Sequence, residues 1–354
     1  MMPNVMMVSG VSDGTEGRKL DHLRIVLDED VNAKGVGSGF AHLRFRHRAL
    51  PELDLKEIDT SVSAFGKTLK APLLISSMTG GADRAEQINL DLAEAAEALG
   101  VAMGVGSQRA ALAKGELAHT YQVRRVAPHT LLLANLGAVQ LNYGFGVDEC
   151  RRAVEMIEAD ALILHLNALQ EAVQPEGNTN FKGLLAKIEQ VCRSVGVPVV
   201  VKEVGNGIGA DDARRLVEAG ASAIDVAGAG GTSWSEVERF RQTDARRRAV
   251  AEAFAGWGIP TVRAIAEVRE ALPDVLLIGS GGVRSGLDVA KAIALGADLA
   301  GSAAPHLFSA VNGDGTATVR EGLQTFVDQL RIAMFCTGAG NLAALRHAPL
   351  ERVA

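Results

Sequence analysis

The sequence predicts an α/β protein folded as a closed (β/α)8 barrel, the TIM-barrel architecture. Eight short runs of mostly apolar residues each give way to a glycine-rich turn, as expected of parallel strands buried on both faces of a sheet. Six of the seven intervals between the starts of these runs measure 23 to 37 residues, which suits one strand–helix unit each. The runs begin at Leu73, Val101, Leu131, Ala161, Pro198, Ala223, Val275 and Asp298.

Helical patterns separate these runs. Between the first two, the stretch RAEQINLDLAEAAEALG repeats apolar residues three or four positions apart, at Ile88, Leu92, Ala95 and Leu99. A doubly wound open sheet is the alternative fold, but its first turn normally carries GxGxxG, and the first turn here reads MTGGAD. The count of eight strand–helix units therefore favours the closed barrel.

The barrel is expected to span residues 71–345, with further segments on either side. Residues 1–70 form an N-terminal extension, in which one segment covers substrate and the stretch LDHLRIVLDEDV is expected to cap the barrel floor. The long interval after the sixth strand holds an excursion at residues 228–258, whose polar start, glycines and few core candidates suggest a lid. A helix from Val319 closes the barrel, and residues 346–354 form a C-terminal tail.

Composition excludes several classes of protein. The 354 residues are 47% hydrophobic and 22% charged, so a large core is available and global disorder is excluded. A net charge of −6 argues against wrapping nucleic acid. No apolar stretch reaches the roughly 20 residues that cross a bilayer, and the Met-rich start lacks the basic region of a secretory signal. Together with the odd number of cysteines, Cys150, Cys192 and Cys336, this predicts a cytoplasmic protein with free thiols.

The fourth run, ALILHLN, carries polar residues on one face. Side chains alternate along a strand, so Leu162 and Leu164 should face the helices, whereas His165 and Asn167 face the barrel axis at its mouth. Gln170 and Glu171 follow in the next turn. A lone histidine on an apolar strand is more often a satisfied core residue, but four polar residues within seven positions favour an active site at the carboxyl ends of the strands.

Lys202 ends the apolar fifth run, PVVVK. An ammonium group there needs an anionic partner, because burying an unpaired charge is costly. The alternatives are a structural ion pair, with Glu203 for example, and a cation placed against the negative charge of a ligand.

Two regions have the character of anion sites. The seventh and eighth runs end in SGGVRSG and GSAAP, and glycines followed by a helix start at these two strands are a common phosphate site in such barrels. The second run ends in GVGSQR, and Arg18 and Lys19 of the extension are candidates to reach over it, although their spacing alone favours a solvated basic pair. Two such sites imply a phosphorylated cofactor and a phosphorylated substrate.

Nine motifs together resemble type II isopentenyl-diphosphate isomerase from about Arg18 to the closing helix. They are GRKLDH, SSMTGG, GVGSQR, ANLG, HLNALQE, VKEVGNG, AGAGGTSW, SGGVRSGLD and GSAAP. HLNALQE with GVGSQR is specific, whereas the glycine-rich phosphate turns are shared with all FMN barrels. The resemblance implies interconversion of isopentenyl and dimethylallyl diphosphates with reduced FMN, NADPH as its reductant and Mg²⁺. It also implies a homo-oligomer, a tetramer or octamer.

The resemblance implies a role for each matching residue. Catalytic roles fall to Gln170, Lys202 and His165, and Glu171 binds Mg²⁺. FMN is held by Ser77, Met78, Thr79, Ser107, Asn135, Lys202, Thr232, Gly282, Val283, Arg284, Ala303 and Ala304. The substrate is bound by Arg18, Lys19, Ser107, Gln108, Arg109, His165, Asn167 and Gln170. Because a neutral amide does not titrate near pH 7, we expect Gln170 to orient the alkene and to relay protons through water or Glu171.

Two other functions fit the same fold. An FMN-dependent 2-hydroxy-acid oxidoreductase needs a histidine base after a late strand, and His306 is the only late candidate. A non-catalytic flavin- or phosphate-binding barrel would tolerate Gln170 and Glu171 without requiring them.

Overall fold

The structure, a computed structural model, describes residues 15–81 and 83–353. Eight parallel strands close into a barrel, and the eighth pairs back onto the first. Each begins within one residue of its predicted start. The strands are β4 (Leu73–Ile75), β5 (Ala102–Gly104), β6 (Leu132–Gly137), β7 (Ala161–Leu166), β8 (Val199–Glu203), β9 (Ala223–Asp225), β10 (Leu276–Ser280) and β11 (Leu299–Ser302).

Helices connect the strands and surround the sheet. Those of the barrel layer are α2 (Asp83–Leu99), α3 (Arg109–Ala113), α4 (Val147–Ile157), α5 (Ala168–Val173), α6 (Leu184–Ser194), α7 (Ala210–Glu218), α10 (Thr261–Ala271), α11 (Gly286–Ala294) and α12 (Ala304–Asn312). The closing helix α13 (Thr316–Thr337) packs against α2, α11 and α12, and the short α14 (Leu342–Leu345) follows it.

Two separate cores confirm the predicted alternation of β7. Leu162 and Leu164 belong to the large core between the sheet and the helices. Ala161 and Ile163 belong to a smaller core inside the barrel. The strand therefore turns its next inward-facing position, His165, toward the mouth.

The barrel floor is closed by a hairpin and not by the segment predicted from the sequence. Strands β2 (Val62–Ala64) and β3 (Lys67–Leu69) pair, and their Ala64 and Leu69 side chains join the core inside the barrel. The predicted floor segment LDHLRIVLDEDV lies instead mostly in α1 (Thr15–Asp28), whose side chains line the cavity at the opposite end. That expectation is wrong because an amphipathic pattern shows that a face is buried but not against which end of the barrel.

The excursion after β9 forms two helices, α8 (Trp234–Arg241) and α9 (Ala245–Glu252). The expectation of few buried residues is wrong for α8, since Val237 and Glu238 are fully buried. Val237 packs with Ile25 and Val31 of the N-terminal extension, so the extension and the excursion share a small core.

The C-terminal tail is not a free segment. Strand β12 (Leu350–Arg352) pairs antiparallel with β1 (Leu43–Phe45) of the N-terminal extension, outside the barrel sheet. Cys150, Cys192 and Cys336 are free thiols. Within the described ranges no helix is both long and apolar enough to span a membrane.

Glu97 ties α2 to the start of β6 and provides a test of the fold at acid pH. Its carboxylate accepts hydrogen bonds from His129 N and Thr130 N at 3.0 and 2.8 Å, and from the Thr130 hydroxyl at 2.8 Å. Burial opposes ionisation, but these bonds prevail and lower the pKa of Glu97 from 4.5 to about 2.

A lowered pKa in the folded state stabilises the fold above the ordinary pKa, and this stabilisation is lost as the pH falls from 4.5 toward 2. We therefore expect Glu97→Gln to cost about 2–3 kcal/mol of unfolding free energy at pH 7. The difference between the two proteins should shrink steadily below pH 4.5 in urea titrations. A difference that does not change with pH would contradict this.

Candidate active site

One cavity lies at the carboxyl ends of the barrel strands, roofed by α1 and by the start of α8. Of the residues assigned to a site by resemblance, all but Gln108 line it. The carboxyl ends of the strands form the bottom of this cavity. Arg18 and Lys19 of α1 and Trp234 of α8 line its opposite side. The extension and the excursion thus supply a wall that the barrel alone lacks.

One side of the cavity has the features of a phosphate and flavin site. Gly281 and Gly282, after β10, have φ of +105° and +70°, which L side chains rarely adopt. A Cβ on Gly231 would lie 2.6 Å from Gly282 N, so the two turns meet backbone to backbone. Nearby, the buried hydroxyls of Ser76 and Ser77 have no hydrogen-bond partner among the described residues. Glycine backbone N–H groups can bind a phosphate, and unpaired hydroxyls can hydrogen-bond to the polar edge of a ring. Together they suit a phosphorylated flavin such as FMN.

Lys202 lies beside this region and is buried. Its ammonium group donates to the Glu203 carbonyl at 2.7 Å and lies 3.8 Å from the Asp225 carboxylate on the neighbouring strand. The Glu203 carboxylate faces the other way, toward the N–H groups of Val204, Gly205 and Asn206. Lys202 therefore does form a structural ion pair, but its partner is Asp225, and the expectation of Glu203 is wrong.

Burial raises the pKa of Asp225, opposed by Lys202 and by a 2.5 Å hydrogen bond from Ser280. The register of β8 and β9 sets Lys202 opposite Asp225. Strand pairing of this kind is not visible in the sequence, so sequence reasoning missed Asp225.

His165 is held as a neutral ring. Asn135 Nδ2 donates to the Val105 carbonyl at 3.1 Å, which leaves Asn135 Oδ1 to accept from His165 Nδ1 at 2.8 Å. Nε2 then carries no proton and lies beside Gly137, where an added Cβ would be 3.1 Å from it. Burial lowers the pKa of His165 to about 3, reinforced by the charges of Lys202 and Lys19.

Glu171 has a buried carboxylate surrounded by donors. It accepts from Asn167 Nδ2 at 2.9 Å, from Gln174 Nε2 at 2.7 Å and from Asn178 N at 2.5 Å. Beside it, the buried Asn167 Oδ1 has no hydrogen-bond partner among the described residues. A carboxylate next to an unpaired amide oxygen is a suitable donor set for Mg²⁺, which takes its remaining ligands from phosphate and water.

Gln170 contacts a carboxylate that the sequence did not indicate. Its amide nitrogen donates to Glu238 Oε1 at 3.2 Å, and Glu238 also accepts from His22 at 2.9 Å and from Arg241 at 2.7 Å. Burial opposes ionisation of Glu238, but the bonds and charges of His22 and Arg241 prevail and lower its pKa. Gln170 Oε1 accepts from Asn167 Nδ2, which also donates to Glu171. Asn167 therefore connects the Gln170 amide to the Glu171 carboxylate.

Basic side chains gather at the other side of the cavity. Lys19 Nζ donates to the Ser107 carbonyl at 2.7 Å and also contacts the hydroxyl of the buried Tyr121, which itself donates to Ser107 O. Burial lowers the pKa of Arg109 and of Lys19, and the nearby charge of Arg18 lowers both further. The alternative of a solvated basic pair at Arg18 and Lys19 is therefore wrong, because both face the cavity.

Gln108 does not belong to the cavity wall, so the expectation that it binds substrate is wrong. Its side chain is fully buried, donating to the Ala153 carbonyl at 2.8 Å and accepting from Asn135 N at 2.9 Å. Both ends of the amide are thus used to hold β5 and β6 against α4. The neighbouring Ser107 and Arg109 do reach the cavity.

His306 does not match the base required by a 2-hydroxy-acid oxidoreductase. The ring is buried against Phe326, with centroids 5.1 Å apart, and it is not part of the cavity wall. Burial lowers its pKa to about 4. No other histidine follows the sixth or seventh barrel strand before it.

Comparison with known proteins agrees with this geometry. The FMN-dependent dehydrogenase family matches residues 16–122 and 156–352, so the chain belongs to that family of FMN-dependent barrel enzymes. Among solved structures, a mandelate oxidase variant has a TM-score of 0.66 at 21% identity, covering 96% of this chain and 95% of that one. A lactate oxidase of Pediococcus acidilactici has a TM-score of 0.67 at 17% identity, covering 95% and 94%. At these identities the likeness shows the fold alone.

Sequence relatives specify the family further. Isopentenyl-diphosphate delta-isomerase of Synechocystis is 56% identical over 339 residues, 96% of each chain. The Stutzerimonas stutzeri protein of the same name is 57% identical over 334 residues, 94% of this chain and 96% of its own. Within the broader family, the chain therefore belongs to the isopentenyl-diphosphate delta-isomerases, and it is an isomerase.

The environment of Lys19 predicts how anion binding depends on pH. Burial, with a smaller contribution from Arg18, lowers the pKa of Lys19 from 10.5 to about 7. A bound anion would raise that pKa again, so above pH 7 binding takes up a proton and affinity falls as the pH rises.

We expect the affinity for inorganic diphosphate to fall by up to about tenfold per pH unit above pH 7 through this group. Lys19→Arg should remove that component, because arginine stays charged. The measurement is calorimetric titration of both proteins from pH 6 to 9. The protonation of diphosphate contributes equally to both, so it drops out of the difference between the two pH profiles. Parallel pH profiles would show that Lys19 is not the group involved.

Proposed function

We propose that this isomerase interconverts isopentenyl diphosphate and dimethylallyl diphosphate using reduced FMN and Mg²⁺. The observation that supports this best is that the two ends of one cavity carry different chemical groups. One end offers glycine turns, unpaired serine hydroxyls and Lys202; the other offers Arg18, Lys19 and Arg109 beside the Glu171 carboxylate. Such a cavity suits a flavin at one end and a metal-bound diphosphate at the other.

In this proposal FMN is held by the residues that line the first end. Ser77, Met78, Thr79, Ser107, Asn135 and Thr232 would line the ring and its chain, and Gly282, Val283, Arg284, Ala303 and Ala304 would hold its phosphate. When bound and reduced, FMN supplies an electron-rich ring that stabilises electron-deficient alkene carbons and exchanges protons.

Lys202 would place a positive charge against the ring edge. Asp225 offsets only part of that charge, since the nearest approach of the two groups is 3.8 Å. A cation in this position stabilises negative charge on a ligand more strongly in the buried cavity than it would in water.

The diphosphate would be bound by Arg18, Lys19, Arg109 and Ser107, with His165 and Asn167 alongside. A neutral His165 with an unprotonated Nε2 cannot donate to a phosphate oxygen. We infer that His165 takes up a proton when the dianionic end of the substrate enters, since a nearby negative charge raises its pKa. Glu171 would hold Mg²⁺.

Gln170 would orient the alkene between these two ends. Its amide is fixed by Asn167 on one side and by Glu238 on the other. An amide held in this way does not titrate near pH 7, so it positions carbon atoms and does not exchange protons itself.

We also propose that NADPH supplies the electrons for FMN, and that the protein works in the cytoplasm as a homotetramer or octamer. The reductant and the oligomer rest on the family resemblance, whereas the cytoplasmic location rests on the sequence features and the free thiols.

The function is tested by an absorption spectrum of the purified protein followed by an anaerobic assay. With reduced FMN, Mg²⁺ and isopentenyl diphosphate, we expect dimethylallyl diphosphate to form, and oxidised FMN to support no turnover. Lactate should not bleach the oxidised flavin. Bleaching by lactate without isomerisation would favour the hydroxy-acid oxidoreductase, and bound flavin with neither activity would favour a non-catalytic barrel.

Lys202→Ala should weaken FMN binding by about 10- to 100-fold and lower turnover, as expected for the loss of a buried contact to a charged group worth roughly 1.5–3 kcal/mol. Flavin fluorescence quenching measures the affinity. Because the variant leaves Asp225 buried without its cation, the double variant Lys202→Ala/Asp225→Asn is the control. It should recover thermal stability but not flavin affinity. Unchanged flavin affinity and turnover in Lys202→Ala would refute this role.

Glu171→Gln should raise the Mg²⁺ concentration for half-maximal rate by tenfold or more, because a neutral amide replaces the only charged ligand proposed. Bound flavin should be unaffected, as judged by its spectrum. The matched control is Glu218→Gln at the end of α7, where the residue is exposed and lies outside the cavity wall. If the metal dependence of Glu171→Gln equals that of the wild type, Glu171 is not the metal ligand.

A further inference from the structure

The loop after α5 connects two parts of the site that are distant in sequence. Asn178 donates its backbone N–H to the Glu171 carboxylate at 2.5 Å. Its side-chain oxygen accepts from Arg109 Nη1 and from Gln140 Nε2, each at 3.1 Å. One residue therefore contacts both the proposed metal ligand and a proposed diphosphate-binding arginine.

The loop is held in place by contacts of its own. A Cβ on Gly177 would lie 1.7 Å from the Glu171 carbonyl oxygen, so the backbone passes where only glycine fits. At the far end of the loop, Tyr143 Oη accepts from Asn180 N at 3.0 Å, and Asn142 Nδ2 donates to the Asn180 carbonyl at 2.8 Å. Asn178 is thus positioned by the protein and does not depend on a ligand.

An amide suits this position better than a carboxylate. Asn178 Oδ1 is neutral, so it orients the Arg109 guanidinium without cancelling the positive charge. Arg109 uses one N–H for this bond and keeps its other donors for an anion. Gln140, which lines the cavity, is oriented by the same oxygen.

We propose that Asn178 is a positioning residue that aligns Arg109 with Glu171, so that diphosphate and Mg²⁺ bind as one unit. This inference rests on the proposed function and deepens it. The side chain fixes the arginine, the backbone fixes the carboxylate, and the rigid loop sets the distance between them. Neither Asn178 nor Gln140 lies in a motif that indicates a site in the sequence.

Calorimetric binding of inorganic diphosphate, with and without Mg²⁺, tests this on the holoenzyme. Wild-type affinity should rise when Mg²⁺ is present. Asn178→Ala keeps the backbone bond to Glu171 but loses the bond to Arg109, so we expect about tenfold weaker binding and a smaller Mg²⁺ effect. Asn178→Asp should bind more weakly still, because a carboxylate pairs with Arg109 and repels the anion.

The matched control is Asn180→Ala, two residues along the same loop, where the exposed side chain accepts from Lys182 N at 3.2 Å. It should bind diphosphate as the wild type does, and FMN affinity should be unchanged in all variants. In turnover, Asn178→Ala should raise KM more than it lowers kcat.

Wild-type affinity and a wild-type Mg²⁺ effect in Asn178→Ala would overturn the inference. Equal losses in Asn178→Ala and Asn180→Ala would also overturn it, since the cause would then be a general loosening of the loop. A wild-type protein that binds no diphosphate would overturn the proposed function itself, a result distinguishable from both of these.

Discussion

Closure of the barrel is the constraint on which the site depends. The pairing of β11 with β4 brings the turn after Ile75 next to the turn after Ser302, although more than two hundred residues separate them in the chain. Parallel strands all end at the same edge, so every carboxyl-terminal turn opens into one cavity. The phosphate turns, Lys202 and the polar end of β7 are neighbours for this reason.

The net charge at each end of the cavity depends on the partners of the nearby carboxylates. Glu203 points to the backbone N–H groups of its own loop, Glu171 is surrounded by amide donors, and Glu238 is paired with Arg241. Arg18 lies 3.9 Å from the exposed Glu176 carboxylate, whereas Lys19 and Arg109 hydrogen-bond to neutral oxygens. The result is a net positive end inside a protein of net charge −6.

How much the sequence revealed depends on the range of the interactions. Strand starts and the inward face of β7 were predictable, because apolar runs, glycine turns and alternation are local signals. The burial of Gln108 was not, because Ser107 and Arg109 on either side do face the cavity and only the packing of α4 shows that Gln108 turns away. Asp225, Glu238 and Asn178 escaped detection for a related reason. Each matters through a partner far along the chain, and single-sequence patterns carry no information about such pairs.

The pairing of β1 with β12 has a consequence for biosynthesis. Strand β1 leaves the ribosome before any of the barrel, whereas β12 follows the whole of it. During translation β1 therefore waits with unpaired backbone groups, an exposed edge that another chain could occupy. The edge of β1 is therefore covered only after every strand of the barrel has been synthesised.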